Sequence, residues 1–223
     1  MIPGLTTLDL SENDLGDVAT IKLCKSMKKH NSLHTLILDH NRITDVSCKS
    51  IGKLEANAYS LKELSLYWNL IQGPGACEIL TGIQENFGIK VLNLGWNMIG
   101  NFMSNSFADK LAIVLKDENL IHLDICHNSI KENTLLIIEQ ALYSNHSLFG
   151  LHVDGNECVI DSIGFMISGE NHDIKASEMH LIMGPGLLKN KKARSQQNHC
   201  WICEGWSEKC FKFNNSISMN RVH

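Results

Sequence analysis

Apolar residues in this chain follow one spacing that repeats six times. The first copy is Leu5, Leu8, Leu10, Asn13 and Leu15. The next three read Leu33-Leu36-Leu38-Asn41-Ile43, Leu61-Leu64-Leu66-Asn69-Ile71 and Ile89-Leu92-Leu94-Asn97-Ile99. After a longer step come Leu120-Leu123-Ile125-Asn128-Ile130 and a weaker Leu148-Leu151-Val153-Asn156-Cys158. The asparagines stand 28 residues apart with one interval of 31, and a fixed period of this length marks a stacked repeat architecture. Within L-x-L the two apolar residues fall on one side of a strand and the residue between them on the other. The asparagine ends the strand, and its amide carries donors and an acceptor for backbone groups that no neighbouring strand reaches.

The second half of each unit has helical spacing. Ala76, Ile79, Leu80 and Ile83 recur at intervals of three and four, as do Ala108, Leu111, Ala112 and Leu115, and Leu135, Ile138, Ala141 and Leu142, so each predicted helix buries one stripe. Gly73, Pro74 and Gly75 punctuate the start of the third helix, where a first turn has no amide bond for proline to break. Parallel strands stack about 4.8 Å apart and helices about 10 Å apart, which puts the sheet on the shorter, inner arc.

These units resemble leucine-rich repeats, and at 28 residues they are similar to the ribonuclease-inhibitor-like subtype, which alternates a strand with a full helix. The resemblance covers roughly residues 5 to 170. It implies an α/β horseshoe of about six units with a parallel concave sheet and convex helices. The expected organisation is a repeat domain over 1–170, a polar linker over 171–198 and a short cysteine- and tryptophan-containing segment over 199–223.

Composition limits the partners. With 43% apolar and 20% charged residues the chain is long enough for a continuous core,. A net charge of −4 argues against a general nucleic-acid or anionic-membrane surface,. Met1 opens no signal-like stretch and no apolar run reaches spanning length,. Cys24, Cys48, Cys77, Cys126 and Cys158 fall at repeat positions as small apolar fillers, so a reduced, cytoplasmic protein is expected,.

The ends are irregular. Only Met1 to Gly4 precede Leu5, where a solenoid needs a polar cap, and the chain is read as truncated or as a fragment of a larger protein,. The insertion behind the 31-residue step falls within Gly100 to Ser106 and should bulge on the rim or the convex side,. Beyond the sixth asparagine, Gly184-Pro185-Gly186 and the run Lys189, Lys191, Lys192, Arg194 read as a solvated linker or a nuclear-import or phosphate-contacting patch,. His199-Cys200-Trp201-Ile202-Cys203-Glu204-Gly205-Trp206 and Cys210, with Gly150–Asn156 and Asp161–Phe165 before them, look like the junction in large protist leucine-rich-repeat proteins, where a cysteine-tryptophan motif opens a β-rich domain. Cys200 and Cys203 with His199 or Cys210 could hold zinc, but no second C-x-x-C completes a tetrahedral site, and no thioredoxin-like context supports redox work,. No metal or cofactor is assigned.

The outward columns of the sheet carry the candidate site. The residue before each asparagine runs Glu12, His40, Trp68, Trp96, His127, Gly155, and the central strand residue runs Asp9, Ile37, Ser65, Asn93, Asp124, His152. Both columns are expected to face solvent. Tyr67, Trp68 and Trp96 should lie side by side on adjacent strands, flanked by Asp39, His40, Asp124 and His127 as a polar rim with a histidine on either side, and His152 joins them as a candidate contact,. Against an anchor for a protein or peptide stands the alternative that the indoles lie flat over neighbouring strands or against the rim as packing.

Three function classes compete. A non-catalytic interaction scaffold leads, because nothing concentrates reactive groups in a pocket for a small-molecule substrate. A GTPase-activating protein of the leucine-rich-repeat type is the alternative, but Arg42, Arg194 and Arg221 are the only arginines to donate, and the acidic tail of the Ran-activating family is absent,. An enzyme is not expected, since G-x-S-x-G, H-E-x-x-H, P-loop and Rossmann patterns are all missing,.

Overall fold

Each repeat folds as a short strand, a turn closed by the asparagine, and a helix that returns the chain to the next strand. The computed structural model describes residues 4–27, 30–56, 58–85, 88–101, 105–142, 144–157, 159–160 and 166–167. Six strands, β1 (Thr7–Asp9), β2 (Thr35–Ile37), β3 (Glu63–Ser65), β4 (Val91–Asn93), β5 (His122–Asp124) and β6 (Gly150–His152), pair in chain order as one parallel sheet. Five helices lie between them: α1 (Asp17–Met27), α2 (Asp45–Glu55), α3 (Gly73–Glu85), α4 (Asn105–Lys116) and α5 (Glu132–Leu142). A separate antiparallel pair follows, β7 (Val159–Ile160) with β8 (Met166–Ile167).

The register slips by one whole repeat at every step, so like residues pair. Leu8 faces Leu36, Leu36 faces Leu64, Leu64 faces Leu92, Leu92 faces Leu123 and Leu123 faces Leu151. Leu36, Leu64, Leu92 and Leu123 with the helical stripe, including Ile79, Leu80, Leu111 and Ile138, form one continuous buried core, against which Leu8 and Leu151 pack partly buried. Each fully buried leucine or isoleucine contributes about 1.5–3 kcal/mol of transfer free energy. In the first unit Leu5, Leu8, Leu10 and Leu15 are only partly buried, because packing reaches them from one side alone.

Neighbouring helices pack closely, and two glycines set the limit between α2 and α3. A Cβ on Gly82 would stand 2.2 Å from the Gly52 carbonyl oxygen, and one on Gly52 would stand 2.3 Å from that of Glu78. The helix backbones therefore touch directly. The 31-residue step opens as a 3-10 turn at Ile99–Asn101 before α4 begins, which places the insertion between the fourth asparagine and its helix as the spacing predicts.

The asparagines are internal struts between units. Asn97 accepts from the Ile71 amide at 3.0 Å and donates to the carbonyls of Leu66, Leu94 and Gly95 at 3.0, 3.0 and 3.2 Å. Asn69 does the same for Ile43, Leu38, Leu66 and Tyr67, and Asn41, Asn128 and Asn156 repeat the arrangement. Asn13 makes a shorter set, donating from its side chain to the Ser11 carbonyl. Of the cysteines, Cys24 and Cys48 are core fillers as expected, whereas Cys77 is half-buried on α3 and Cys126 lies on the concave side. Cys158, residues 161–165, the 171–198 linker, the basic run and the Cys200-Trp201 segment lie outside the described residues.

Alanine at these struts leaves several buried backbone groups without partners at once, each worth about 1–3 kcal/mol. Asn97→Ala should lower unfolding free energy by at least about 2 kcal/mol in urea titration. Asn13→Ala, at the open end, should cost less than about 1 kcal/mol, and equal losses at the two sites would contradict the strut role.

Candidate functional site

The turn that buries each asparagine amide also fixes the residue before it. The backbone amides of Glu12, His40, Trp68, Trp96 and His127 donate to the carbonyls of Asp39, Tyr67, Gly95, Cys126 and Asp154 in the next unit, at 2.7–3.0 Å. Parallel pairing therefore continues past each short strand. At this point the chain turns through the left-handed region, with φ of 59° at Glu12, 51° at His40, 53° at Trp68 and Trp96, 50° at His127 and 73° at Gly155. Bulky residues are rare there, and the conformation costs roughly 1–2 kcal/mol for a side chain with a Cβ.

This column is a ladder of stacked rings. His40 stacks on Trp68 with centroids 5.2 Å apart, Trp68 on Trp96 at 4.4 Å, and Trp96 on His127 at 4.2 Å, with interplanar angles of 15°, 16° and 26°. Tyr67 leans against its side, tilted, 5.5 Å from His40 and 6.3 Å from Trp68. The ladder ends at Gly155, where a Cβ would meet His127 Nδ1 at 2.2 Å. Trp68 remains 45% exposed. The indoles thus lie outside the core and cover one another.

Two expectations need correction. The central strand column is not solvent-facing in the middle of the sheet: Ser65, Asn93 and Asp124 are 0%, 4% and 2% exposed, while Asp9 is exposed and Ile37 and His152 are half-buried. The buried side chains are short, and the concave curvature closes larger neighbours over them. The histidines flank the indoles on either side as expected, His40 as the outer rung next to Trp68 and His127 next to Trp96, whereas Asp39 and Asp124 bond backbone amides that leave the strands.

The floor of the sheet satisfies the amides leaving the strands. Asp9 accepts from the Ser11 amide, Asn93 from Gly95 and Asp124 from Cys126, each at 2.9 Å. In the third unit Ser65 is too short, and Asp39 reaches across from the second, accepting from the Ser65 hydroxyl at 2.5 Å and the Tyr67 amide at 2.9 Å. Burial pushes the Asp39 carboxyl up to about 6, and the charges of Asp9 and Asp124 add to the rise, against its hydrogen bonds. Burial also raises Asp154 and Glu63 and lowers His127.

Some members of the face carry only indirect sequence signals. His122 is buried above Gly150, where a Cβ would come within 2.3 Å of its Nδ1, and its ring lies 4.9 Å from that of His152. Gly150 and Gly155, both in the sixth unit, mark by missing side chains the space that two histidines occupy. Among the described residues no three His, Cys, Asp or Glu side chains are placed to hold a metal ion, and no helix is long and apolar enough to cross a membrane.

Comparison with known proteins agrees with this geometry. A family model described as Leucine Rich repeat matches residues 4–24 and 29–52. The chain is a leucine-rich-repeat solenoid. Over 152 residues, 68% of the chain, the solenoid is 31% identical to the Rho GTPase-activating protein gacW of Dictyostelium discoideum, of which the match covers 12%. It is 32% identical over 82 residues to mouse ribonuclease inhibitor, covering 36% of this chain and 18% of that protein. The solenoid therefore spans a small part of the length of the curated relatives it matches. The tropomodulin C-terminal domain of Caenorhabditis elegans superposes with a TM-score of 0.54 at 13% identity, covering 63% of this chain and 84% of that one, which is a likeness of fold.

Asp39 gives the site a defined pH dependence. Its carboxyl holds a proton to about pH 6 in the fold, against 3.8 ordinarily. As pH falls from 7 toward 4 the folded state takes up a proton that the unfolded chain does not, so this group's contribution to stability rises. Asp39→Asn keeps an oxygen for Ser65 and Tyr67 and removes the buried charge. It should be more stable than the parent by about 1–3 kcal/mol at pH 8, with the gap closing by pH 4 in urea titrations. A variant less stable at pH 8 would show that the charge itself is required.

Proposed function

We propose that this solenoid is a non-catalytic interaction module that captures a protein or peptide on its concave face, with the ladder His40-Trp68-Trp96-His127 as anchor and Tyr67 beside it. The ladder is the observation that carries this role. Four side chains accept left-handed backbone, a cost of about 1–2 kcal/mol each, while each ring pair returns only about 0.5–1.5 kcal/mol. Strained conformations held by their surroundings cluster at functional positions, and exposed tryptophan and tyrosine are the side chains that dominate interface hot spots.

The hydrogen-bonded backbone on either side of the rings makes the surface preformed. Binding then costs little ordering of the solenoid, which favours affinity for a given contact area. His152, Asp39 and Asp124 line the floor and set the polarity of what fits above the sheet.

The likeness to a Rho GTPase-activating protein favours a second role, in which the solenoid acts on a small GTPase. Arginine donation is the chemistry such a role draws on, and Arg42, the arginine among the described residues, is engaged by Asp14. A scaffold that contacts a GTPase without accelerating it fits the side chains better.

Peptide display against the immobilised chain tests the anchor. Peptides recovered on the parent should lose about 30-fold or more in affinity for Trp68→Ala/Trp96→Ala, the scale of hot-spot truncation, while circular dichroism shows the fold retained. Recovered peptides that bind both proteins equally would place capture elsewhere. In parallel, a panel of small GTPases should hydrolyse GTP at unchanged rates when the chain is added, and acceleration would replace the scaffold role.

A further inference from the structure

The fifth and sixth units meet on the concave face through histidine rings. A Cβ on Gly150 would stand 2.3 Å from His122 Nδ1, and one on Gly155 would stand 2.2 Å from His127 Nδ1, so each ring fills the space of a missing side chain in the next unit. His152 is the ring that the sixth unit itself supplies, and it lies 4.9 Å from His122, tilted by 44°. His122 is 3% exposed and His152 is half-buried. Under these rings the strands pair Gly150 with His122 and His152 with Asp124. Among the described residues β6 pairs only with β5, and its inward Leu151 is partly buried where Leu36, Leu64 and Leu92 are fully buried. The last seam of the sheet is thus held by less apolar burial than the middle ones.

Charged and titratable groups reach the pair from several strands. Glu63 on β3 interacts favourably with a charged His122, and Asp154 after β6 with charged His152 and His127. Asp124 on β5 acts on His127 and Asp154. From β4 come Val91 and Asn93, which do not titrate, and Lys90 stands just ahead of them, its carbonyl accepting from the His122 amide. In the row that holds Glu63 and His122, Val91 lies between the two. One proton on the histidine pair is therefore balanced by carboxylates around it. A second sets two cations 4.9 Å apart, one of them on a buried ring packed against Gly150, and both proximity and burial oppose that charge.

We propose that this seam is an acid-sensitive latch: with one proton or none the His122–His152 pair holds β6 on the sheet, and uptake of a second proton by the pair loosens the sixth unit. Histidine changes charge between about pH 5 and 8, and sites that interact strongly take up protons in separate steps. The unfolded chain keeps the rings apart and binds the second proton freely, so the seam loses stability as pH falls. Glu63 and Asp154 work in the opposite sense, because burial raises both and the fold gains from their own protonation at low pH,. Removing one imidazole separates the two contributions. Gly155, against which His127 is seated, belongs to the unit that loosens, so the latch also governs the last rung of the ring ladder. It is a property of the fold that holds with or without a docked partner.

Amide hydrogen exchange of the full chain at pH 7.5 and 5.5, corrected for intrinsic rates, reads the seam. Peptides spanning β6 should lose protection about tenfold or more at the lower pH, while those spanning β2 to β4 keep or gain protection. His152→Gln, which retains a polar side chain and removes one ring, should abolish most of that loss. If this variant fails to fold, proton NMR titration of the parent's imidazoles decides instead, with the pair taking up its two protons in steps at least about tenfold apart in affinity. Unchanged protection of β6 at pH 5.5, equal loss throughout the solenoid, a loss that persists in His152→Gln, or two coincident and independent titrations would each overturn the latch.

Discussion

From the second unit onward, a side-chain amide at the end of each strand of the parallel sheet holds this molecule together. Each of these five asparagines closes its own turn and reaches into the preceding unit, so that one group satisfies backbone atoms of two repeats. The strands on either side are held in whole-repeat register. The hydrophobic core supplies most of the free energy of stacking, but leucines alone would tolerate small slips. Hydrogen bonds with fixed geometry do not. The ladder of amides is the element that gives each turn the same shape.

The shape of that turn is what connects fold to function. To bring the amide inward, the preceding residue takes a left-handed conformation and pairs its own N–H with the next unit. Its side chain is then repeated along the concave rim at nearly the strand spacing. Where those side chains are His40, Trp68, Trp96 and His127, they stack. Where the residue is Gly155, the stack stops. The surface is therefore a by-product of the internal struts, and its composition can vary without altering the solenoid.

Much of this was legible in the residues. The spacing of leucine and asparagine gave the strands, their parallel order and the helical stripes, because periodicity reports directly on which side of an element each residue lies. It also placed Trp68 and Trp96 in one column. The left-handed backbone was hidden, since tryptophan and histidine give none of the signal that glycine would at such a position. Burial of Ser65, Asn93 and Asp124 was hidden too: alternation along one strand says which face a residue takes, but not how far curvature and neighbours close over it. The reach of Asp39 across to Ser65 and Tyr67 joins residues 26 and 28 apart. A repeat-aligned view shows the short Ser65 that makes it possible, whereas the linear pattern does not.

The central claim is that the amide struts hold the rings in their stack. Exciton-coupled circular dichroism of the indoles reads this directly, since two tryptophans at 4.4 Å interact strongly. The account predicts a couplet in the parent that vanishes in Trp96→Phe and falls sharply in Asn97→Ala under conditions where that variant remains folded. An undiminished couplet in folded Asn97→Ala would show that the rings order themselves, and that the struts and the surface are independent.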